Sequence, residues 1–210
     1  MSGAVRRVVV IGAGGHARVC IDQLLDDPTL ELIGCLGEAA TSSVDGVPVL
    51  GDDGMLPPLR RDGVTHAVVA SGDNRRRLDV MRRCRAEGFA LVNAISRAAV
   101  ISRSCTIGAG VALMPGSIVN AGSVLHDGVI VNTNASIDHD CILEAGAHVA
   151  PGCALSGNVR VGEGAFLGAG CVVIPGRTVG AWSTVGAGAC VVWDVADGAV
   201  VVGVPARGRG

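Results

Sequence analysis

Residues 143–173 read LEAGAHVAPGCALSGNVRVGEGAFLGAGCVV, and every sixth position from the first is a branched aliphatic: Leu143, Val149, Leu155, Val161, Leu167 and Val173. Followed outward, this register holds from Ile101 to Val191, sixteen positions without a miss; Ile95 extends it backward and Asp197 ends it. A period of six is neither the 3.6-residue turn of a helix nor, alone, the two-residue alternation of a strand. It is the period of a β-solenoid in which each hexad forms one short flat side and three hexads close a coil. The fourth residue after each aliphatic then also faces a narrow interior. These residues are Cys105, Val111, Ser117, Ser123, Val129, Ala135, Cys141, Ala147, Cys153, Val159, Ala165, Cys171, Arg177, Ser183 and Ala189. All are small except Arg177, which implies a bulge or an outward turn. Four cysteines thus line the wall rather than bridge or ligate. With coils stacked at roughly 4.8 Å, five of them make a prism on the order of 24 Å tall.

Composition agrees with a narrow interior. The 210 residues include 32 glycines and only four aromatic residues, two Phe and two Trp. A net charge of −2 implies no broad basic surface for nucleic acid or anionic lipid. All seventeen basic residues are Arg, so no lysine chemistry is available. The opening MSGAVRRVVVIGAGG does not form a signal peptide, and no run approaches the length of a membrane span. Eight cysteines in such a chain suggest reduced thiols and a cytoplasmic location.

Residues 1–94 alternate strand and helix signals, which predicts an α/β domain with a parallel, Rossmann-like sheet ahead of the solenoid domain at 95–210 with its C-terminal tail. RRVVVI, LELIGCL, VPVL, HAVVAS and FALVN read as strands; HARVCIDQLLDD and DNRRRLDVMRRCRAEG read as helices, and DDGMLPPLRR as a short helix or turn. Between the first strand and helix lies GAGGHA, Gly12–Ala17. Glycines there let the backbone approach a ligand, and the helix start offers free N–H groups to phosphate. A tight turn needed only for packing is the competing reading. The second strand ends in CLGEA, with Glu38 as the only ribose partner, so a nucleotide bound through its pyrophosphate fits better than a nicotinamide dinucleotide.

The recurring IGAG, VGEG, LGAG and VGAG, with the closing VVGVPAR, resemble the hexapeptide-repeat acyltransferases. That resemblance covers about 95–206 and implies a left-handed parallel β-helix, a homotrimer and acetyl-CoA as donor. With GAGGHA, SGDNRRR, LVNAI, NTNASIDHDC and SGNVRVGEGAFLGAG, the whole chain resembles the bacterial N-acetyltransferases that acetylate a 4-amino sugar on a nucleotide carrier, of the bacillosamine, GDP-perosamine and sialic-acid-locus type. The resemblance places Gly14, Gly15, His16 and Gly72 against the nucleotide-sugar. Relatives often carry Asp-Asp after the second strand, where this chain has Gly37-Glu38; both are kept as substrate residues, and the base of the nucleotide (UDP, GDP or dTDP) stays open. Family position places the pantetheine arm of CoA near Ala169 and Ala187.

His139 lies two residues past Ile137, and His148 one before Val149. Neither is in the inward registers, so both rings are expected to point outward. Nine residues is half a coil, so the two lie on different sides of one prism and share a site only across subunits. His139 is flanked by Asp138 and Asp140, and a carboxylate beside an imidazole fixes its tautomer and raises its basicity. The resemblance makes His139 the general base, with Asp140 orienting it, and has His148 contact the acetyl-thioester from the other chain. His16 either touches substrate or caps the turn; His66 and His126 read as strand-end or surface residues. Three other chemistries compete: a zinc hydratase, which needs three converging imidazoles where His126, His139 and His148 are spaced by 13 and 9; a non-catalytic nucleotide-sugar-binding protein; and acetylation of a hydroxyl.

Overall fold

The computed structural model describes residues 5–39 and 42–208. The chain divides into two units, Met1–Ala94 and Ile95–Gly210. In the first, β1 (Arg6–Ile11), β2 (Leu30–Leu36), β4 (Val47–Gly51), β5 (His66–Val69) and β6 (Ala90–Leu91) form a parallel sheet, and the two-residue β3 (Ser43–Val44) adds an antiparallel edge. The strand order is β3-β4-β2-β1-β5-β6. Val8–Ile11 of β1 are buried, as a strand inside a two-faced sheet requires. Helix α1 (Gly15–Leu25) buries Ala17, Cys20, Ile21 and Leu24, one stripe at helical spacing. A short α2 (Leu56–Arg61) carries proline in its first turn, where a missing N–H costs nothing. Helix α3 (Asn74–Ala86) starts at Asp73, whose carboxylate accepts the Arg76 N–H at 2.7 Å.

Because β1 lies between β2 and β5, the chain leaves β1 in one direction and returns on its other flank. The loops after β1 and β5 therefore sit side by side at the point where such folds take ligands. Gly12 shows how closely: its φ is +133°, its N–H donates to the Leu36 carbonyl at 2.7 Å, and a Cβ there would collide with the Ala70 carbonyl oxygen. No side chain larger than hydrogen fits.

The second unit is a three-sided parallel β-helix. Its two-residue strands pair with those eighteen positions away: Val131 with Val149, Ile137 with Leu155, Leu143 with Val161. The first side carries Ile130–Val131 and His148–Val149, the second Ser136–Ile137 and Ala154–Leu155, the third Ile142–Leu143 and Arg160–Val161. The sixfold aliphatics from Leu113 to Val191 are buried in one core, with Ile101 and Ile107 partly buried at its start. Cys141, Cys153 and Cys171 belong to this core, and Cys105 packs against it. The Cys153 and Cys171 sulfurs lie 3.5 Å apart, and the hydrogen bond to Cys153, then burial, push the Cys171 thiol pKa up.

A third register turns the corners. From 110 to 188, the third residue after each aliphatic has a positive φ. Ten of these are glycine; Asn134, Asp140, Asn158 and Trp182 are not. The left-handed conformation costs an ordinary L-residue roughly 1–2 kcal/mol and is tolerated best by Asn and Asp. Trp182 is the exception, and its ring lies over the bare Cα of Gly164 one coil away.

Arg177 keeps its place in the ladder, since its carbonyl accepts the Arg160 N–H at 3.0 Å. Its side chain is half-buried and its Nη1 stands 3.7 Å from Asp194 Oδ1. There the next coil is shorter: Val179 bridges Val195, and Val185 pairs Val201, sixteen residues on rather than eighteen. The sixfold register ends because the final coil drops two residues. Asp197, the first non-aliphatic in the register, instead accepts the Ala181 N–H at 2.7 Å. The chain closes with Val200–Val202 paired antiparallel to Arg207–Gly208.

Candidate functional site

His139 stands on the corner between the second and third sides, exposed to solvent. Its backbone is held from two directions. The Asp138 carboxylate accepts its N–H at 2.8 Å, and its carbonyl accepts the Asn158 N–H at 2.9 Å. Asp138 also accepts from the Asn120 amide at 3.1 Å, and these donors hold its carboxyl below the usual carboxylate range. The His139 ring is bound at Nδ1 by Asp140 Oδ2 at 2.8 Å. A carboxylate only accepts, so Nδ1 carries the proton and Nε2 keeps its lone pair. The Asp140 bond, reinforced by the charges of Asp138 and Asp140, raises the imidazole pKa above its ordinary value. Asp140 can reach back because its backbone is left-handed, with φ +57°.

His148 departs from the accessible imidazole expected of it. It lies on the outer side of its strand but is only 7% exposed. Its ring meets Phe166 edge-on with centroids 5.2 Å apart, and Nε2 lies 3.2 Å from the Asn132 amide. An outward strand position is buried when its ladder neighbours are large, and Ile130 and Phe166 flank it on either side. Its ring is packed against Phe166, with Nε2 beside the Asn132 amide. Ala169 and Ala187 are both exposed and stack one coil apart on the corner between the first and second sides, with the Gly188 N–H donating to the Ala169 carbonyl at 2.8 Å. They and His139 thus occupy the two edges of the second side. His126 is exposed beside Glu144, and His66 bonds to Thr65 at 2.8 Å.

In the first unit, a Cβ on Gly14, Gly15 or Gly72 would meet nothing within 4 Å, so the loops after β1 and β5 both face open space. Gly37 closes against them, its would-be Cβ 3.3 Å from the Ala13 nitrogen. His16 turns inward instead of outward. Burial, then the nearby Arg77 charge, push its pKa down to about 4, and its Nε2 lies 3.8 Å from Cys20 Sγ. It is a neutral hydrogen-bonding group, not a cation for phosphate. Arg77 is 1% exposed and donates to the Ser71 carbonyl at 2.9 Å and to Asn74 Oδ1 at 2.8 Å, which pins the β5–α3 loop.

A cavity of about 610 Å³ is lined by Gly37, Glu38, Asp52, Asp53, Gly54, Arg76 and Arg83. Its size is that of a small-ligand site. Arg76 and Arg83 both approach Asp53 Oδ2, at 3.5 and 3.8 Å. The sequence reading reached Gly37 and Glu38 but missed the two arginines. In SGDNRRR and the helix after it they look like any solvated face; the spacing of seven that puts both on one stripe of α3 was the available signal.

Comparison with known proteins follows the same division. The PglD N-terminal domain family matches residues 7–84. No curated protein matches the chain. PerB from Caulobacter crescentus, solved in complex with CoA and GDP-perosamine, is 48% identical over 100% of both chains, with a TM-score of 0.93. The acetyltransferase domain of PglB from Neisseria gonorrhoeae, solved with acetyl coenzyme A, is 42% identical over 99% of this chain and 100% of its own, also with a TM-score of 0.93. WeeI from Acinetobacter baumannii, at 23% identity and a TM-score of 0.83, shares the fold. The β-helix is the left-handed type of these proteins.

Proposed function

Because the chain belongs to the hexapeptide-repeat N-acetyltransferases that act on nucleotide-linked amino sugars, we propose that it transfers acetyl from acetyl-CoA to the C4 amine of a GDP-linked amino sugar, with His139 as general base. One observation carries the assignment: Asp140 Oδ2 lies 2.8 Å from Nδ1, accepts its proton's hydrogen bond and leaves Nε2 of an exposed, basic imidazole free. Attack on the thioester needs a neutral amine and a base to take its proton as the C–N bond forms. His139 Nε2 accepts that proton, Asp140 and Asp138 balance the imidazolium charge, backbone N–H groups take up the negative charge on the carbonyl oxygen, and CoA leaves as the thiolate. None of the solenoid cysteines in the core competes as a nucleophile.

Nucleotide choice rests on the GDP-perosamine complex of the relative that is 48% identical, with UDP-linked sugars as the second choice. The Gly14–Gly15 and Gly72 loops receive the diphosphate, and the cavity with Glu38, Arg76 and Arg83 the nucleoside. A carboxylate suits the N1–H and exocyclic amine of guanine and a guanidinium its O6 and N7. A homotrimer completes the site. The second side exposes Val100, Ile118 and Val172 at 61%, 37% and 41%. If three prisms turn that side toward a common axis, the His139 edge of each adjoins the Ala169–Ala187 edge of the next. Acetyl-CoA and eight free thiols fit a cytoplasmic enzyme.

The test is a screen of GDP-, UDP- and dTDP-linked 4-amino sugars with acetyl-CoA, following thiol release and product mass. The highest kcat/KM is expected with a GDP-linked 4-amino sugar. Transfer only to hydroxy sugars, or no thiol release with any acceptor, rejects the assignment.

A further inference from the structure

The corner register that carries His139 runs through the solenoid two residues after each aliphatic: Arg103, Ala109, Pro115, Ala121, Asp127, Thr133, His139, Ala145, Pro151, Gly157, Glu163, Ala169, Pro175, Ala181, Ala187 and Trp193. Fifteen of these sixteen carry a side chain. The exception, Gly157, has no positive φ, so the turn itself does not demand glycine there. It lies one coil from His139, and a Cβ on it would stand 2.5 Å from both Cε1 and Nε2 of that ring. The ring lies on the bare Cα with its basic edge over it. On the opposite flank a second glycine, Gly122, leaves the space that Asp140 Oδ1 fills.

We propose that Gly157 is a positioning residue for the acetyl transfer: its missing side chain is the seat that keeps the His139 ring in the rotamer bonded to Asp140 and leaves Nε2 uncovered for the acceptor amine. This rests on His139 being the base. A methyl group at 157 would press the ring away from its seat, stretch the Nδ1–Asp140 bond and cap the nitrogen that must receive the proton. Other residues cannot substitute for the seat, because the Asp138 and Asn158 bonds already fix the His139 backbone and leave only the ring to move. Gly122 is a poorer probe, since its φ of +73° favours glycine for the turn as well.

Gly157→Ala in the full-length protein tests this, read in two ways. In protein labelled at histidine Cε1, the His139 resonance is identified by its loss in His139→Ala and titrated without substrate. The wild-type ring should titrate above an ordinary imidazole, and in Gly157→Ala it should titrate lower, because the Asp140 bond that raises it is lost. In turnover assays kcat should fall on the order of 10²-fold with both KM values unchanged, the cost of displacing a reacting group by about 1 Å, and the acid limb of the pH–rate profile should move to lower pH. An unshifted titration overturns the proposal, whether kcat is unchanged or falls with rising KM; the latter would make Gly157 a substrate contact. Failure to fold also overturns it, since the backbone would then need glycine where Ala121 and Ala145 stand elsewhere. The titration uses no substrate, so a protein that transfers no acetyl but shows the shift rejects the proposed activity and leaves the seat standing.

Discussion

His139 accepts a proton only while its ring is neutral, so its raised pKa moves the useful pH range upward. Activity should be lost as pH falls through that raised value. Asp140→Asn replaces the charged acceptor that contributes most to the shift with a neutral amide, and the acid limb of kcat should move to lower pH, with the plateau reduced on the order of 10–10²-fold by weaker ring orientation. His139→Ala removes the proposed base and should lower kcat on the order of 10²–10⁴-fold with the oligomeric state unchanged by sedimentation. At this scale the sequence displayed the right neighbours for His139, because D-H-D sits on one corner. It concealed the burial of His148, which depends on Phe166 eighteen residues away filling the same outer ladder.

Among elements, the aliphatic ladder carries the stability of the second unit. Each rung is shared with the coils above and below, so Leu143→Ala should cost about 2–5 kcal/mol in urea unfolding, as for other large-to-small core changes. Val191→Ala should cost less, because it deletes fewer carbons and its strand ends the second side, paired only with that of Val173. This element was readable in the sequence since a sixfold period survives any loop chemistry. The corner register was equally present in the sequence, as a glycine or Asx every sixth residue, yet it takes observed φ values to see why Trp182 can stand in it. Arg177 resisted reading for a different reason: its partner Asp194 lies in the following coil, which is two residues shorter.

For the molecule as a whole, pH and assembly are the levers. His16 has its pKa depressed from 6.5 to about 4, so the unfolded chain binds the extra proton first as pH falls. Stability is complete above the unfolded value and declines between pH 6.5 and 4, by on the order of 3 kcal/mol from this group. The unfolding midpoint of His16→Asn should therefore vary less over that range than the wild type. If the proposed trimer packs through its second side, Ile118→Arg in the middle of that side should release monomers on size exclusion and abolish turnover, while circular dichroism stays native. Stable trimers in this variant would remove the second side as the subunit contact. The α/β half was readable as alternating elements; the convergence of Arg76, Arg83 and Asp53 on one cavity was not, because it joins α3 to a turn more than twenty residues earlier.

A stack of parallel coils with an open end is a template on which more chain can polymerise, in the manner of a growing fibre. The antiparallel tail guards that end. Arg207–Gly208 pairs with Val201 and Val202, while the Gly203 carbonyl and Ala206 N–H occupy both backbone groups of Cys190. Cutting the chain after Val202 would strip these partners from two of the three sides, and light scattering should then report end-to-end filaments that the full-length protein does not form.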